Sequence, residues 1–270
     1  MTDSYDWVPE GVDVTAPDAS RVYDYALGGV HNFAVDREFW ARAEKAMPGA
    51  RAVAHANRAF LGRAVRELVA AGVTQFLDIG SGIPTLGNVH EVAQEANPLA
   101  RVMYVDRDPI AVQQSRALLA GNRLARVIEA DLRDPDAILF HPYVLELLDF
   151  SQPIAVLVVA VLHFIPDSDR PAAIISRIAD TLGSGSYLVV SHAGPEKTEE
   201  KRAAQEAARR LYEGTTTPLT LRDRTELAAL IDDRFELVEP GLVAATDWRP
   251  EPDADEPPQP AALVAVARRS

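Results

Sequence analysis

Residues 74–86 read TQFLDIGSGIPTL. The run through Phe76 and Leu77 leads apolar into Asp78, and Gly80 and Gly82 follow at once. This is the pattern of a buried strand, a glycine turn and the start of a helix. Many α/β proteins hold a nucleotide-like ligand at such a junction. Glycine permits the unusual backbone angles of the turn and lets a ligand approach the main chain. The helix that follows would aim its unpaired N–H groups at that ligand.

A unit of this kind belongs to a larger sheet, so the rest of the chain must supply more strands. Apolar strand patterns over 100–106, 126–131, 153–162 and 187–191 alternate with helical patterns over 86–97, 109–119, 134–149, 168–182 and 196–213. Pro109 opens one helix, as proline suits a first turn, and Pro142 bends another. Thr220, with Asp223 three residues on, predicts a capped helix start. Strands over 235–238 and 262–267 close the chain, joined by an acidic, proline-rich loop over 247–260. Strands alternating with helices imply a parallel sheet covered on both faces, with right-handed crossovers.

The first 71 residues precede this alternation. Residues 1–20 are polar and acidic and read as a loosely ordered arm. Ser20 can cap a short helix carrying Val22, Tyr23 and Ala26 along one side. Gly28 and Gly29 stop it, and a second helix starts near Asp36. Tyr23, Tyr25, His31, Asn32, Phe33 and Trp40 gather around this glycine pair. They form either a lid over a pocket or an ordinary helical hairpin packed on the core. Residues 50–71 form an amphipathic helix with Val53, Ala56, Phe60, Ala64, Val65 and Leu68 on one stripe. His55 and Asn57 near its start read as surface or local capping residues. The expected division is an N-terminal arm and helical lid over 1–71 and a ligand-binding domain over 72–270.

Composition narrows the function classes. The formal net charge is −13, which disfavours a broad grip on nucleic acid. There is no cysteine, which excludes disulfides, thiolate metal sites and cysteine nucleophiles. The acidic start MTDSYDWVPE does not read as a secretory signal. The longest apolar run, Ile154 to Leu162, is far short of a membrane span of roughly 20 residues. The expectation is a cytoplasmic protein. Lys45, Lys197 and Lys201 are the only lysines among the 27 basic side chains, which suggests a GC-rich bacterial genome.

Three successive strands end in an acid: Asp78, Asp106 and Asp131. Ligands of open α/β sheets bind outside these strand ends. A carboxylate after the second strand suits the two vicinal hydroxyls of a ribose. One after the third can accept from an exocyclic amine such as that of adenine. The turn Gly80-Ser81-Gly82-Ile83-Pro84-Thr85 lacks the third glycine of the dinucleotide fingerprint and carries no basic residue for a pyrophosphate. An acid before the first glycine would repel phosphate but welcome an ammonium group. This combination suits S-adenosylmethionine better than NAD.

Asp78-Ile79-Gly80-Ser81-Gly82 resembles the first motif of the class I S-adenosylmethionine-dependent methyltransferases. Tyr104-Val105-Asp106, Glu129-Ala130-Asp131-Leu132 and the run Val161 to Asp167 resemble later motifs of that fold. SRVYDYALGGVHNFAVDRE, near the N-terminus, resembles the signature of one large, mostly uncharacterised bacterial methyltransferase family. The resemblance implies a Rossmann-like, seven-stranded, mostly parallel sheet whose last strand is antiparallel, plus an N-terminal helical extension. It implies that Asp78, Gly80, Ser81 and Gly82 line the methionine end of the cofactor. Asp106, beside Arg107, would hold the ribose, and Asp131 and Leu132 would meet the adenine. Ala160, Val161 and Leu162 would border the sulfonium. Tyr23, Tyr25, His31 and Asn32 would close over the cofactor. Pro84 stands where the superfamily often has a third glycine.

Methyl transfer from a sulfonium needs alignment and exclusion of water more than acid–base help. A general base matters only where the acceptor must lose a proton early. The candidates are His163 and His192, with His31 equally suited to a lid contact. No carboxylate–histidine cluster suggests a metal, and Asp108, Asp134 and Asp167 read as turn or helix-start residues. The leading reading is a methyltransferase acting on a small molecule or a protein. A regulator that binds S-adenosylmethionine with little turnover is the second, and an NAD-linked oxidoreductase the third.

Overall fold

A computed structural model describes residues 7–9, 11–85, 87–213, 215, 217–251 and 262–270. Three helices come first: α1 (Ala19–Ala26), α2 (Ala34–Ala46) and α3 (Ala50–Ala70). The alternating region follows, with β1 (Gln75–Ile79), α4 (Val89–Ala96), β2 (Arg101–Asp106), α5 (Pro109–Leu118) and β3 (Ala125–Glu129). It continues through α6 (Pro135–Leu139), α7 (Pro142–Leu147), β4 (Ala155–Val159), α8 (Pro171–Thr181), β5 (Tyr187–Ala193), α9 (Glu199–Tyr212) and α10 (Arg224–Ala228). Three strands close it: β6 (Phe235–Leu237), β7 (Val243–Ala244) and β8 (Ala262–Arg269).

Among the described residues the strands form one sheet in the order β3-β2-β1-β4-β5-β8-β6, with β7 also paired to β8. Strands β1 to β5 run parallel, and β8 is antiparallel to both β5 and β6. The fold is therefore the expected mixed α/β sheet with an antiparallel final strand. It has eight strands rather than seven, because Val243 and Ala244 pair with Val264 and Leu263. Two residues are too few to leave a periodic signal in sequence.

Both faces of the sheet are buried, which is why its strands read as near-continuous apolar runs. Alternation sends Phe76, Val102, Leu157 and Val189 to one core, shared with Phe60, Ala64 and Leu68 of α3. Leu77, Met103, Val156 and Val190 enter the other, under α6, α7, α8 and α10. Helix α3 is thus part of the layer that covers the sheet.

Several boundaries differ from those expected. Asp18, not Ser20, caps α1, its side chain accepting from the Ser20 N–H at 2.9 Å. Asp223, not Thr220, caps α10 and shares a capping box with Glu226. Pro142 separates two short helices instead of bending one, since it supplies no N–H to continue the ladder. The strand expected over 153–162 stops at Val159. There the Ala160 N–H turns to the Ser191 hydroxyl at 2.8 Å, and Ala160 takes a left-handed φ of 59°. Helix α4 starts at Val89 behind the cap residue Asn88, three residues later than expected; residues 1–6 and 10 of the arm and 252–260 of the loop lie outside the described residues.

Candidate functional site

The carboxyl ends of β1, β2, β4 and β5 open into a cavity of about 290 Å³, roofed by α1, α2 and α3. It is lined by Asp78, Gly80, Ser81, Gly82, Asp106, Arg107, Asp131, Leu132, Ala160 and Val161, and by His163 and His192. Tyr23 belongs to the roof. Of the other residues expected there, Tyr25, His31, Asn32 and Leu162 are not on its lining.

The reason for Asn32 and His31 lies in Asp24, which is 2% exposed. Asp24 accepts from the His31 N–H at 3.0 Å, from Asn32 Nδ2 at 2.8 Å and from the Thr85 hydroxyl at 2.9 Å. A Cβ on Gly29 would lie 1.9 Å from Asp24 Oδ1, so only glycine lets the loop come this close. The glycine pair therefore ties the first helix to the glycine turn after β1. Tyr25 faces Arg51, whose guanidinium sits 5.7 Å from its ring.

The turn after β1 is held as tightly. A Cβ on Gly80 would meet Val161 Cγ2 at 2.3 Å, and Gly80 has a φ of 72°. The β1 and β4 turns thus touch across the cavity floor. The Gly82 N–H donates to Asp106 Oδ2 at 2.7 Å, and the Asp108 N–H to Asp106 Oδ1 at 2.8 Å. The Asp106 carboxylate is thereby fixed in orientation, each oxygen keeping acceptor capacity for a ligand. Burial pushes it up to about 6; the Asp108 and Gly82 donors oppose the shift, and the charges of Asp108 and Asp18 add to it. Above it, the Ser20 hydroxyl donates to Asp108 and brings the start of α1 over this end of the cavity.

Asp78 is 4% exposed, and among the described residues no group donates a hydrogen bond to its carboxylate. Burial pushes it up to about 7, Arg58 opposing the shift and Asp106 adding to it. An opposite charge brought beside such an acid would favour its ionised form. Asn57 and Ser81, also on the lining, each keep a buried side-chain oxygen without a hydrogen-bond partner among the described residues: Oδ1 of Asn57 and Oγ of Ser81. Asn57 donates to the Tyr23 hydroxyl at 2.9 Å, and that hydroxyl donates to the Ala54 carbonyl at 3.1 Å. Asn57 is thus a wall residue and not the surface or capping residue its sequence suggested. His55 is exposed.

Asp131 lies two residues beyond β3, not at its end. It accepts from the Arg133 N–H at 2.9 Å and pairs with the Arg133 guanidinium at 3.1 Å, with Arg107 at 3.9 Å. The acids at 78, 106 and 131 follow the sheet order outward from β1 to β3, while the histidines lie past β4 and within β5.

Both histidines have a committed lone pair. The Arg222 guanidinium, 4% exposed, places Nη1 3.0 Å from His192 Nε2. Arginine only donates, so His192 Nε2 accepts and its Nδ1–H donates to the Ala193 carbonyl at 2.9 Å. Burial holds His192 down to about 4, and Arg222 adds to that shift. The Ala193 N–H donates to His163 Nδ1 at 3.3 Å, which leaves the proton of His163 on Nε2. In this arrangement the Nδ1 of His163 and the Nε2 of His192 each accept a hydrogen bond from the chain. Arg222 also donates to Asp167 at 2.6 Å, making Asp167 its ion-pair partner. Asp108 and Asp134 are the helix caps expected. Among the described residues no group of three or more potential metal ligands comes together, and no helix is long and apolar enough to cross a membrane.

The chain matches the S-adenosyl methyltransferase family over residues 5–270. No curated protein matches it. Among solved structures it is similar to an inferred methyltransferase of Thermobifida fusca YX, at 40% identity and a TM-score of 0.90, covering 98% of this chain and 99% of that one. A DUF574 family protein of Streptomyces avermitilis is 37% identical with a TM-score of 0.87, covering 96% and 99%. The N-methyltransferase NodS of Bradyrhizobium japonicum WM9, in complex with S-adenosyl-L-homocysteine, has a TM-score of 0.52 at 14% identity, covering 93% and 99%. That last likeness is one of fold.

Proposed function

The chain belongs to the S-adenosyl methyltransferase family, and from that premise we propose that its cavity binds S-adenosylmethionine and passes the methyl group to a small-molecule acceptor. The observation that carries the reading is Asp78: a buried carboxylate with no hydrogen-bond donor among the described residues, where a cationic ligand is the natural partner.

The residues present fit that cofactor. Asp78 receives its ammonium group, with the orphaned oxygens of Ser81 and Asn57 on the same wall. Asp106, already oriented by two backbone donors, accepts from the ribose hydroxyls, with Arg107 beside it. Asp131 and Leu132 take the adenine. Ala160 and Val161 border the sulfonium. Tyr23 closes the roof, and α1 and α2, which precede the α3 layer, serve as the lid.

When bound, the cofactor supplies a methyl carbon activated by a positive sulfur. The chain's own part is alignment and exclusion of water. Tyr23 and Asn57 fix the roof, and the contact between Gly80 and Val161 fixes the floor. With His163 Nδ1 and His192 Nε2 each accepting a hydrogen bond from the chain, the proposed acceptor is one that enters with its nucleophilic lone pair already available. Held close to the methyl carbon, such an acceptor gains its rate from proximity and orientation.

The test is transfer of radiolabelled methyl from S-adenosylmethionine into small-molecule and protein fractions of a cell extract. Label entering the small-molecule fraction supports the proposal. Label entering protein refutes the acceptor class, and label in neither fraction supports a binding-only role.

A further inference from the structure

The β4–β5 side of the cavity differs in character from the acidic side. Phe164, Tyr212 and Trp40 line it, together with His163. Tyr212 of α9 packs edge-on against Phe39 of α2 at 4.8 Å and tilts toward Phe164 at 5.9 Å. Two distant segments, α2 and α9, are thereby joined into one aromatic wall. Such a wall favours flat, apolar ligands, with ring-to-ring contacts adding to area burial.

Two polar groups of this wall have no hydrogen-bond partner among the described residues, the Tyr212 hydroxyl and the His163 Nε2. His163 is held at three points. Its Nδ1 accepts from the Ala193 N–H at 3.3 Å, its carbonyl accepts from the Thr220 N–H at 2.7 Å, and its ring stands edge-on to His192 at 5.5 Å. With Nδ1 occupied, Nε2 carries the hydrogen, and no described residue accepts from it. We propose that this side of the cavity takes an apolar, ring-bearing small molecule that presents an oxygen or ring nitrogen to the Nε2–H of His163. The proposal rests on the methyltransferase reading and names the acceptor class for the same site. Burial, with His192 and Arg222 close by, holds His163 well below the usual histidine range, so the donor is a neutral N–H. His163 is a specificity residue here and not a base. Arg222, through His192, is a positioning residue behind it.

Two matched probes isolate that hydrogen bond: 2-acetylnaphthalene and 2-ethylnaphthalene, similar in shape and differing in a carbonyl oxygen. Binding is measured by fluorescence on protein saturated with S-adenosylhomocysteine, for wild type and His163→Leu. The ketone should lose about fivefold on substitution, the size of one net neutral hydrogen bond, while the hydrocarbon changes by less than about twofold. Calorimetric titration with S-adenosylhomocysteine should give the same affinity for both proteins, which also shows that the variant is folded. Equal losses for both probes, no loss for either, or no probe binding to the cofactor-saturated wild type would overturn the proposal. Failure of wild type to bind S-adenosylhomocysteine would instead overturn the cofactor reading, and this proposal with it.

Discussion

Replacing the Asp78 carboxylate with an amide, Asp78→Asn, should make the ligand-free protein more stable and ligand binding weaker. Asp78 is 4% exposed, and burial raises its carboxyl from 3.8 to about 7. A raised carboxyl pKa means that the folded state resists ionisation that the unfolded chain accepts. The penalty is absent below pH 3.8, grows as pH rises, and is complete above about pH 7. Its size follows from the shift, roughly three pK units at 1.36 kcal/mol each, or about 4 kcal/mol. The amide keeps the shape of the side chain and removes its charge. For a chain of this size each kcal/mol moves Tm by about 2–4 °C. The variant should therefore melt on the order of 10 °C above wild type at pH 8, with the gain fading toward pH 4. The same change removes a charge-assisted contact to the ligand, and S-adenosylhomocysteine should bind about 10- to 100-fold more weakly. Differential scanning calorimetry over this pH range, with calorimetric titration, reads both. A variant less stable than wild type at pH 8, or a gain independent of pH, would refute the reasoning.

Asp106→Asn should weaken S-adenosylhomocysteine binding by about 1.5–3 kcal/mol for each charged hydrogen bond lost; unchanged affinity in a titration would show that the ribose is held elsewhere. Gly80→Ala should lower stability by about 1–3 kcal/mol, because its Cβ meets Val161 at 2.3 Å where φ is 72°, and denaturant unfolding measures it. Arg222→Met leaves His192 Nε2 and the Ile165 carbonyl without the Arg222 donor, while the Leu162 carbonyl keeps only the Ile165 N–H. It should destabilise the protein by about 1–3 kcal/mol for each buried acceptor left unpaired, and NMR titration should find the His192 pKa raised relative to wild type, because the Arg222 charge that helps hold it down is gone.

The acids were legible in sequence because Asp78 and Asp106 stand at or next to the last residue of an apolar strand and Asp131 two residues past one, and a parallel sheet brings such stops to one edge. The alternation of strands and helices carried the fold for the same reason. Other features depend on contacts between distant residues. Nothing in SRVYDYALGGVHN says that Asp24 turns inward and draws His31 and Asn32 behind the wall. Arg222 lies 30 residues from His192, so the loss of that histidine's lone pair has no local signature. Asn57 did leave a signal. It sits four residues after Val53 and three before Phe60, on the buried stripe of α3, where an amide needs a polar neighbour.

The central claim is that the row of acids at the sheet edge receives a cationic nucleoside and not a dinucleotide. Isothermal titration of the wild-type protein with S-adenosylhomocysteine and with NAD tests it most directly. Saturable one-to-one binding of S-adenosylhomocysteine, with no heat from NAD, is the predicted result. Binding of NAD without binding of S-adenosylhomocysteine would contradict it.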